Sequence, residues 1–367
     1  MAQVKQVDTS VQPTYLGDTY PLTANEGDTF VNEATFPKSL YVWWQGAWKF
    51  FGYLREVTDP GQACYIPTVA NNSYIDRKLS FVTEACTVVS IVLPRTYGAS
   101  AAADTLVYGY ILGGQPGINA ISNIARMQFE TQTASSVTST LTEIRGYDTA
   151  AHDADYAWIP GGGKILPLSY PSDTTSKIDK FAFSSESCNS ITSTLRRPMC
   201  ALAATQSASD GFFAGGTYGA APGSQVTTSN IDRIQFSTDA TFYLASTTST
   251  GLGDGMCGLS AQVNGYNAGG TLGGGWATAV IDRFSFVSYT VAALASSLSI
   301  ARGLTSGGMN AMNGYVFGGY NGTAIPNSYS TIDRLVFSSE ITGVMASTLG
   351  VVSSNIPQGM NDLRNLG

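Results

Sequence analysis

The sequence predicts an all-β fold in which six four-stranded units form a ring, and three regularities carry that expectation. A triplet recurs as Ile75-Asp76-Arg77, Ile124-Ala125-Arg126, Ile178-Asp179-Lys180, Ile231-Asp232-Arg233, Ile281-Asp282-Arg283 and Ile332-Asp333-Arg334. A double glycine precedes five of them, at Gly113-Gly114, Gly161-Gly162, Gly215-Gly216, Gly269-Gly270 and Gly318-Gly319. Successive triplet isoleucines lie 49 to 54 residues apart. A period near that length in a glycine-rich, strand-rich chain marks one repeated supersecondary unit, and it suits a propeller blade.

Taken in order, residues 1–60 hold no copy of the repeat. Residues 1–25 are polar and read as an extended arm. The segment Ser39 to Gly52 reads as a β-hairpin with its turn at Gln45-Gly46 and aromatics on both strands, among them Trp43, Trp44, Trp48 and Phe50. That is more aromatic surface than one hairpin buries. These four residues are therefore the expected anchoring or interface positions of an N-terminal module, residues 1–60, followed by the repeat domain, residues 61–367. In each unit a small-residue strand leads to a tight turn, placed at Asp210-Gly211, Asn264-Gly265 and Asn313-Gly314. The next strand ends at Gly-Gly, a loop follows, and then come the triplet strand and a short outer strand. The first unit lacks its innermost strand, and residues 350–356 are expected to supply it. A five-unit ring would instead leave strand edges open, which is a liability.

Two resemblances follow from these residues. Residues 27–52, GDTFVNEATFPKSLYVWWQGAWKFFG, resemble a short module common in phage tail-fibre and other virion appendage proteins, with Trp44-Gln45 standing where an Asp is usual. Four strands per unit with Gly-Gly ending the second resemble the kelch-type repeat over about residues 62–367, although the Trp of the kelch third strand is missing. Together they imply a kelch-like β-propeller of six four-stranded blades closed by the C-terminus, carried by a small hairpin and arm module.

Composition narrows the function classes. The chain has 367 residues, of which 12% are charged and 40 are Gly, and 11% aromatics argue against disorder. With a net charge of −7 and no Lys/Arg cluster, nucleic acid is not an expected partner. No apolar run is long enough to cross a membrane, and residues 1–20 lack a signal-peptide pattern, so a soluble chain outside the standard export route is expected. Cys64, Cys86, Cys188, Cys200 and Cys257 are odd in number with no CxxC pair, which fits reduced, buried thiols.

Candidate chemistry is sparse. An Asp-Arg pair at the same phase in nearly every unit suits ion pairs or hydrogen bonds within or between blades better than one asymmetric site. The single histidine, His152, lies among Asp148, Asp153 and Asp155. Sliding this unit onto the last one puts Asp155-Tyr156 on Met312-Asn313, so the acids read as turn formers and no metal site is expected. No cofactor motif, nucleophile elbow or sialidase box is present, and no enzyme activity is expected. Glycoside hydrolysis by two carboxylates stays open as an alternative, because such pairs meet in space. The loops after Gly-Gly vary most and share one face. Tyr170, Tyr218, Trp276, Tyr320 and Tyr329 in them are candidate receptor contacts, and stacking of rings on sugars makes a host-surface glycan the expected ligand. The resemblances imply a virion structural protein, a tail fibre or similar appendage, whose N-terminus meets other tail or baseplate proteins. They also imply a homo-oligomer, often a trimer in such fibres. A purely structural, decorating virion protein is the other reading.

Overall fold

The computed structural model describes residues 15–17, 29–32, 39–44, 47–53, 63–67, 74–116, 119–164, 173–221, 224–249, 255–271, 277–321, 328–353 and 359–362. The chain divides into two units, Met1–Gln62 with Leu363–Gly367, and Ala63–Asp362. In the first, Ser39–Trp44 and Ala47–Tyr53 pair antiparallel, with Trp43 opposite Trp48 and Trp44 opposite Ala47. That is the hairpin expected around Gln45-Gly46. Thr29–Asn32 extends it, and Tyr15–Gly17 pairs parallel with Thr29–Asn32. Part of the expected arm is thus a strand of a four-stranded sheet, because its backbone finds a partner there.

The second unit is a six-bladed propeller of four-stranded antiparallel sheets, without helices among the described residues. From the axis outward, blade 2 is Ala101–Asp104, Tyr108–Gly114, Ile121–Gln128 and Thr133–Arg145. Blade 3 is Ala151–His152, Tyr156–Pro160, Lys177–Ala182 and Ser187–Thr194. Blade 4 is Ala203–Gln206, Asp210–Ala214, Asn230–Gln235 and Ala240–Thr247. Blade 5 is Cys257–Ser260, Asn264–Ala268, Ile281–Ser285 and Val291–Ala293. Blade 6 is Ser306–Met309, Asn313–Phe317, Tyr329–Val336 and Ile341–Ser353. The core is not one central mass. It lies in layers between successive blades, such as Tyr65, Ile75 and Ile91 of blade 1 against Ile111, Met127 and Phe129 of blade 2. Alternating burial along each third strand follows from that sandwiching.

Blade 1 closes the ring from both chain ends, though not with the expected stretch. Its innermost strand is Met360–Asp362, beside Ala63–Ile66, Tyr74–Ser80 and Cys86–Val92. Residues 350–353 instead prolong the outer strand of blade 6. Two properties select the later residues. The Met360 side chain is fully buried in the layer between blades 1 and 2, and the Asn361 side-chain Oδ1 accepts the Met309 N–H at 2.8 Å.

Two further expectations change. The Asp-Gly and Asn-Gly pairs are not turn centres. Asp210, Asn264 and Asn313 open the second strands, and the turns precede them, as where Ser207 N–H reaches the Asp210 carbonyl at 2.8 Å. Glycine is required there for packing: a Cβ on Gly211 would come within 2.7 Å of Ala151 Cβ, and one on Gly314 within 2.6 Å of Leu259 Cδ1. The second change concerns blade 1, where the triplet sits one residue out of phase. Arg77 pairs with Ile66 where Asp333 pairs with Val316, and Lys78 faces Tyr65 where Arg334 faces Tyr315. The Gly-Gly pairs behave as expected, every one at positive φ where the chain leaves the second strand.

Candidate functional site

The triplet residues are committed to contacts between blades. In blades 3 to 6 its Asp is buried and faces the preceding blade. Asp179 accepts the Thr142 N–H at 2.8 Å and its hydroxyl at 2.6 Å, and Asp282 accepts both groups of Ser249. Asp333 accepts the Ser299 N–H and hydroxyl, both at 3.0 Å. Two of these carboxylates also hold fully buried arginines, Arg145 on Asp179 at 3.1 Å and Arg302 on Asp333 at 2.7 Å. In blade 1 the shifted register puts Arg77 at this position, and its Nε donates to the Leu349 carbonyl of blade 6. The junction survives with donor and acceptor exchanged.

The next residue of the triplet faces the following blade. Each blade turns from third to outer strand through a residue at positive φ: Glu84, Gln132, Glu186, Asp239, Tyr289 or Glu340. Arg126 reaches Glu186 at 2.7 Å, Lys180 reaches Asp239 at 2.9 Å, Arg283 reaches Glu340 at 3.2 Å, and Arg334 pairs with Glu84. An aromatic on the second strand donates to the same acid, as Tyr266 to Glu340 at 3.0 Å and Trp158 to Asp239 at 2.8 Å. Blade 4 has Phe212, which has no donor, and the turn it meets carries Tyr289 rather than an acid. Arg233 stacks over that ring at 5.1 Å. This aromatic, three residues before Gly-Gly in blades 2 to 6, was a signal in the sequence that the triplet alone did not reveal.

His152 belongs to a girdle at one end of the axis. Asp104, His152, Gln206, Ser260 and Met309 end five of the innermost strands, and with Asn361 of the sixth they surround a cavity of about 30 Å³. Five of the six edge N–H groups are capped by a side chain of the next blade. His152 N–H donates to Gln206 at 2.8 Å, Gln206 N–H to Ser260 at 2.9 Å, and Ser260 N–H to the Met309 sulfur at 3.0 Å. Met309 N–H continues to Asn361, Asn361 donates to Asp104 at 3.4 Å, and the His152 Nε2 lies 3.8 Å from Asp104. Asp153 caps the adjoining turn, accepting N–H groups of Asp155 and Tyr156 at 2.8 Å each, as expected of a turn former.

The other end of the axis carries the loops. There, Tyr147 N–H bonds to the Ala99 carbonyl and Ala201 N–H to Tyr147, both at 2.7 Å. Ala99, Tyr147, Ala201 and Leu304 adopt positive φ at this mouth, and the cavity below holds about 50 Å³, room for a few waters rather than a sugar ring. Asp148 lines it. Burial pushes its carboxyl up to about 8, against the pull of Arg145, and its Oδ2 has no hydrogen-bond partner. Burial also holds the thiols of Cys86 and Cys257 at about 11 and 12, which keeps them protonated and unreactive.

The candidate contact residues divide. Tyr218 lies on Thr217–Ala221, which pairs with Ser224–Thr227 in an added hairpin between the second and third strands of blade 4, and Arg197 stacks on its ring at 4.4 Å. Tyr320 is held by paired backbone bonds to Gly303, and Tyr329 opens the third strand of blade 6, both half-buried. Tyr170 and Trp276 lie outside the described residues, and of Trp43, Trp44, Trp48 and Phe50 only the backbone pairing is described.

No protein-family model matches the chain, and no curated protein sequence does. Among solved structures, one described as "Structure of YjhT" is similar with a TM-score of 0.61, at 11% identity, over 73% of this chain and 90% of that one. At that identity the likeness is one of fold.

Proposed function

We propose that the protein is a binding protein whose loop-bearing propeller end recognises a host-surface glycan, and that it serves in a virion appendage of the tail-fibre kind. One observation carries the recognition reading. The repeated Asp, cation and aromatic positions are engaged in blade-to-blade contacts, whereas the loops after Gly-Gly differ in every blade and share one end. Residues kept alike from blade to blade assemble the ring, and residues free to differ are available for recognition. The virion reading rests on the resemblance of residues 27–52, with residues 1–60 as the part that meets tail or baseplate proteins and other copies of the chain.

The test is a glycan-array measurement on the full chain and on a variant in which residues 218–226 are replaced by a short glycine-serine turn. Binding that is lost in the variant, with an unchanged melting temperature, supports recognition by the loops. Binding retained by a variant with every such loop replaced would move recognition away from the loops, and no glycan binding by the full chain would leave only a decorating role. Release of reducing ends from a bound polysaccharide would make it an enzyme instead. Antibodies to the propeller that fail to label purified particles would remove the virion assignment.

A further inference from the structure

The loop-bearing end of blades 2 to 4 carries more positive charge than the rest of the chain prepares one to expect. The protein has a net charge of −7, and four of its third-strand cations, Arg126, Lys180, Arg283 and Arg334, are held by the turn acids of the following blade. At the turn-bearing end Glu130, Asp153 and Asp155 remain without an ion pair among the described residues. At the loop-bearing end the balance reverses. Once the pairs Arg145–Asp179, Arg302–Asp333 and Arg196–Asp232 are set aside, Arg95, Lys164, Lys177 and Arg197 stand against Glu143, Asp173 and the buried Asp148, whose carboxyl burial holds protonated up to about pH 8.

Their contacts sharpen the point. Lys164, at 3.4 Å, and Lys177 share the one carboxylate of Glu143, and Lys177 is 51% exposed. The paired lysines hold the Glu143 carboxyl below its usual range, although partial burial pushes it the other way. Arg95 donates to the neutral amide oxygen of Asn123. Arg197 has no ion pair among the described residues. Its guanidinium carbon lies over the Tyr218 ring, 4.4 Å from the centre, and Asp232, a carboxylate whose charge it favours, is already bound by Arg196. A guanidinium stacked on a ring keeps its edge donors available for a carboxylate or sulfate in the plane.

We infer that this sector of the loop-bearing end reads an acidic polysaccharide, with Arg197 on Tyr218 as its central contact and Lys164 and Lys177 beside it. The inference rests on the glycan-recognition reading and names the class of glycan.

The probes are polygalacturonate, hyaluronate and chondroitin sulfate as acidic polymers, dextran and mannan as neutral ones, and a single-stranded oligonucleotide, all tested with the full chain. Retention by an acidic polymer and not by the neutral ones is expected, weakening about tenfold as ionic strength rises from roughly 50 to 300 mM. Arg197→Ala should weaken it about tenfold, and Arg197→Lys less, since charge is kept and the planar guanidinium is lost. Lys164→Gln with Lys177→Gln should lower the salt dependence while the melting temperature stays within that of the parent chain. Equal retention of dextran or mannan would overturn the acidic specificity and leave glycan recognition standing. Retention of no polymer at all, or affinity for the oligonucleotide equal to that for the acidic polymers, would also overturn it. Unchanged affinity in both Arg197 variants would do the same.

Discussion

At the turn-bearing end, six blades place a positive-φ residue at the same turn, and four of those residues are acids taking a cation and, in each case, an aromatic donor from the blade before. At the loop-bearing end the residue after Gly-Gly keeps a common backbone bridge in blades 3, 4 and 6, and beyond it the blades diverge, with an added hairpin in blade 4 and lysines around Glu143 between blades 2 and 3. The difference separates two kinds of constraint. A contact that must form at every junction restricts its residues to one chemistry, while a surface that joins nothing is free of that restriction. The division also explains why charged residues that look catalytic in the sequence are architectural: a carboxylate accepting two or three donors at a junction is committed there.

The comparison breaks most severely where the ring closes. Ending the chain at Gly359 removes Met360 from the layer between blades 1 and 2 and opens the edge of Ala63–Ile66. Losing one buried methionine alone costs about 2–5 kcal/mol, so loss of a cooperative thermal transition is expected. A truncated chain that melts with the parent would show that the strand does not hold the ring. The next largest effect belongs to the buried pair. In Asp333→Ala, Arg302 is left charged, fully buried and without its partner, at a cost of about 3–5 kcal/mol in denaturant unfolding. Glycan binding measured below the transition should be untouched.

The architecture was legible because its signal is periodic: the triplet, the double glycines and the spacing all state one unit. The girdle was not. Its positions hold Asp104, His152, Gln206, Ser260, Met309 and Asn361, six different residues that share only the ability to accept a hydrogen bond, so no pattern marks them. The closing strand escaped for the same reason, since Met360 and Asn361 are chosen by a core layer and by one N–H. Blade 1 misled in another way: Ile75-Asp76-Arg77 repeats the letters, but pairing with Ile66 and Tyr65 sets the phase, and Arg77 serves where the triplet suggests Asp76. At the loop-bearing end the aromatics were visible, yet Arg197, whose guanidinium lies over Tyr218, is separated from it in sequence and meets it through the backbone bridge between Cys200 and Thr217.

A smaller effect sharpens the contrast from within the axis. Asp148 at the loop-bearing mouth has its carboxyl raised from 3.8 to about 8 by burial, so between those values the folded chain holds a proton that the unfolded chain releases. Stability from this group is therefore full below about pH 4 and declines as pH rises towards 8, by at most about 1.4 kcal/mol per pH unit. Asp148→Asn keeps an acceptor for the Ala101 N–H and cannot ionise. Urea unfolding at pH 5, 6.5 and 8 should show the parent losing ground to the variant as pH rises. Parallel curves would mean that Asp148 is ionised in the fold.

The smallest expected effect is a transplant between junctions. Between blades 4 and 5 the turn-bearing end departs from its own rule: Phe212 cannot donate, Tyr289 cannot act as a carboxylate, and Arg233 turns back to Asp210 of its own blade at 2.7 Å. If the aromatic, the cation and the turn acid act together, Phe212→Tyr alone should destabilise, because its hydroxyl enters a buried junction with no acceptor. Tyr289→Glu alone should also destabilise, since it removes the ring packed against Phe212 and Phe284. The double substitution recreates the arrangement of Tyr266, Arg283 and Glu340 at the next junction, and should recover about 1 kcal/mol relative to the sum of the single changes. Additive losses in that cycle would show that the aromatic and the acid contribute independently, and that their pairing at the other junctions is not what excludes them both from this one.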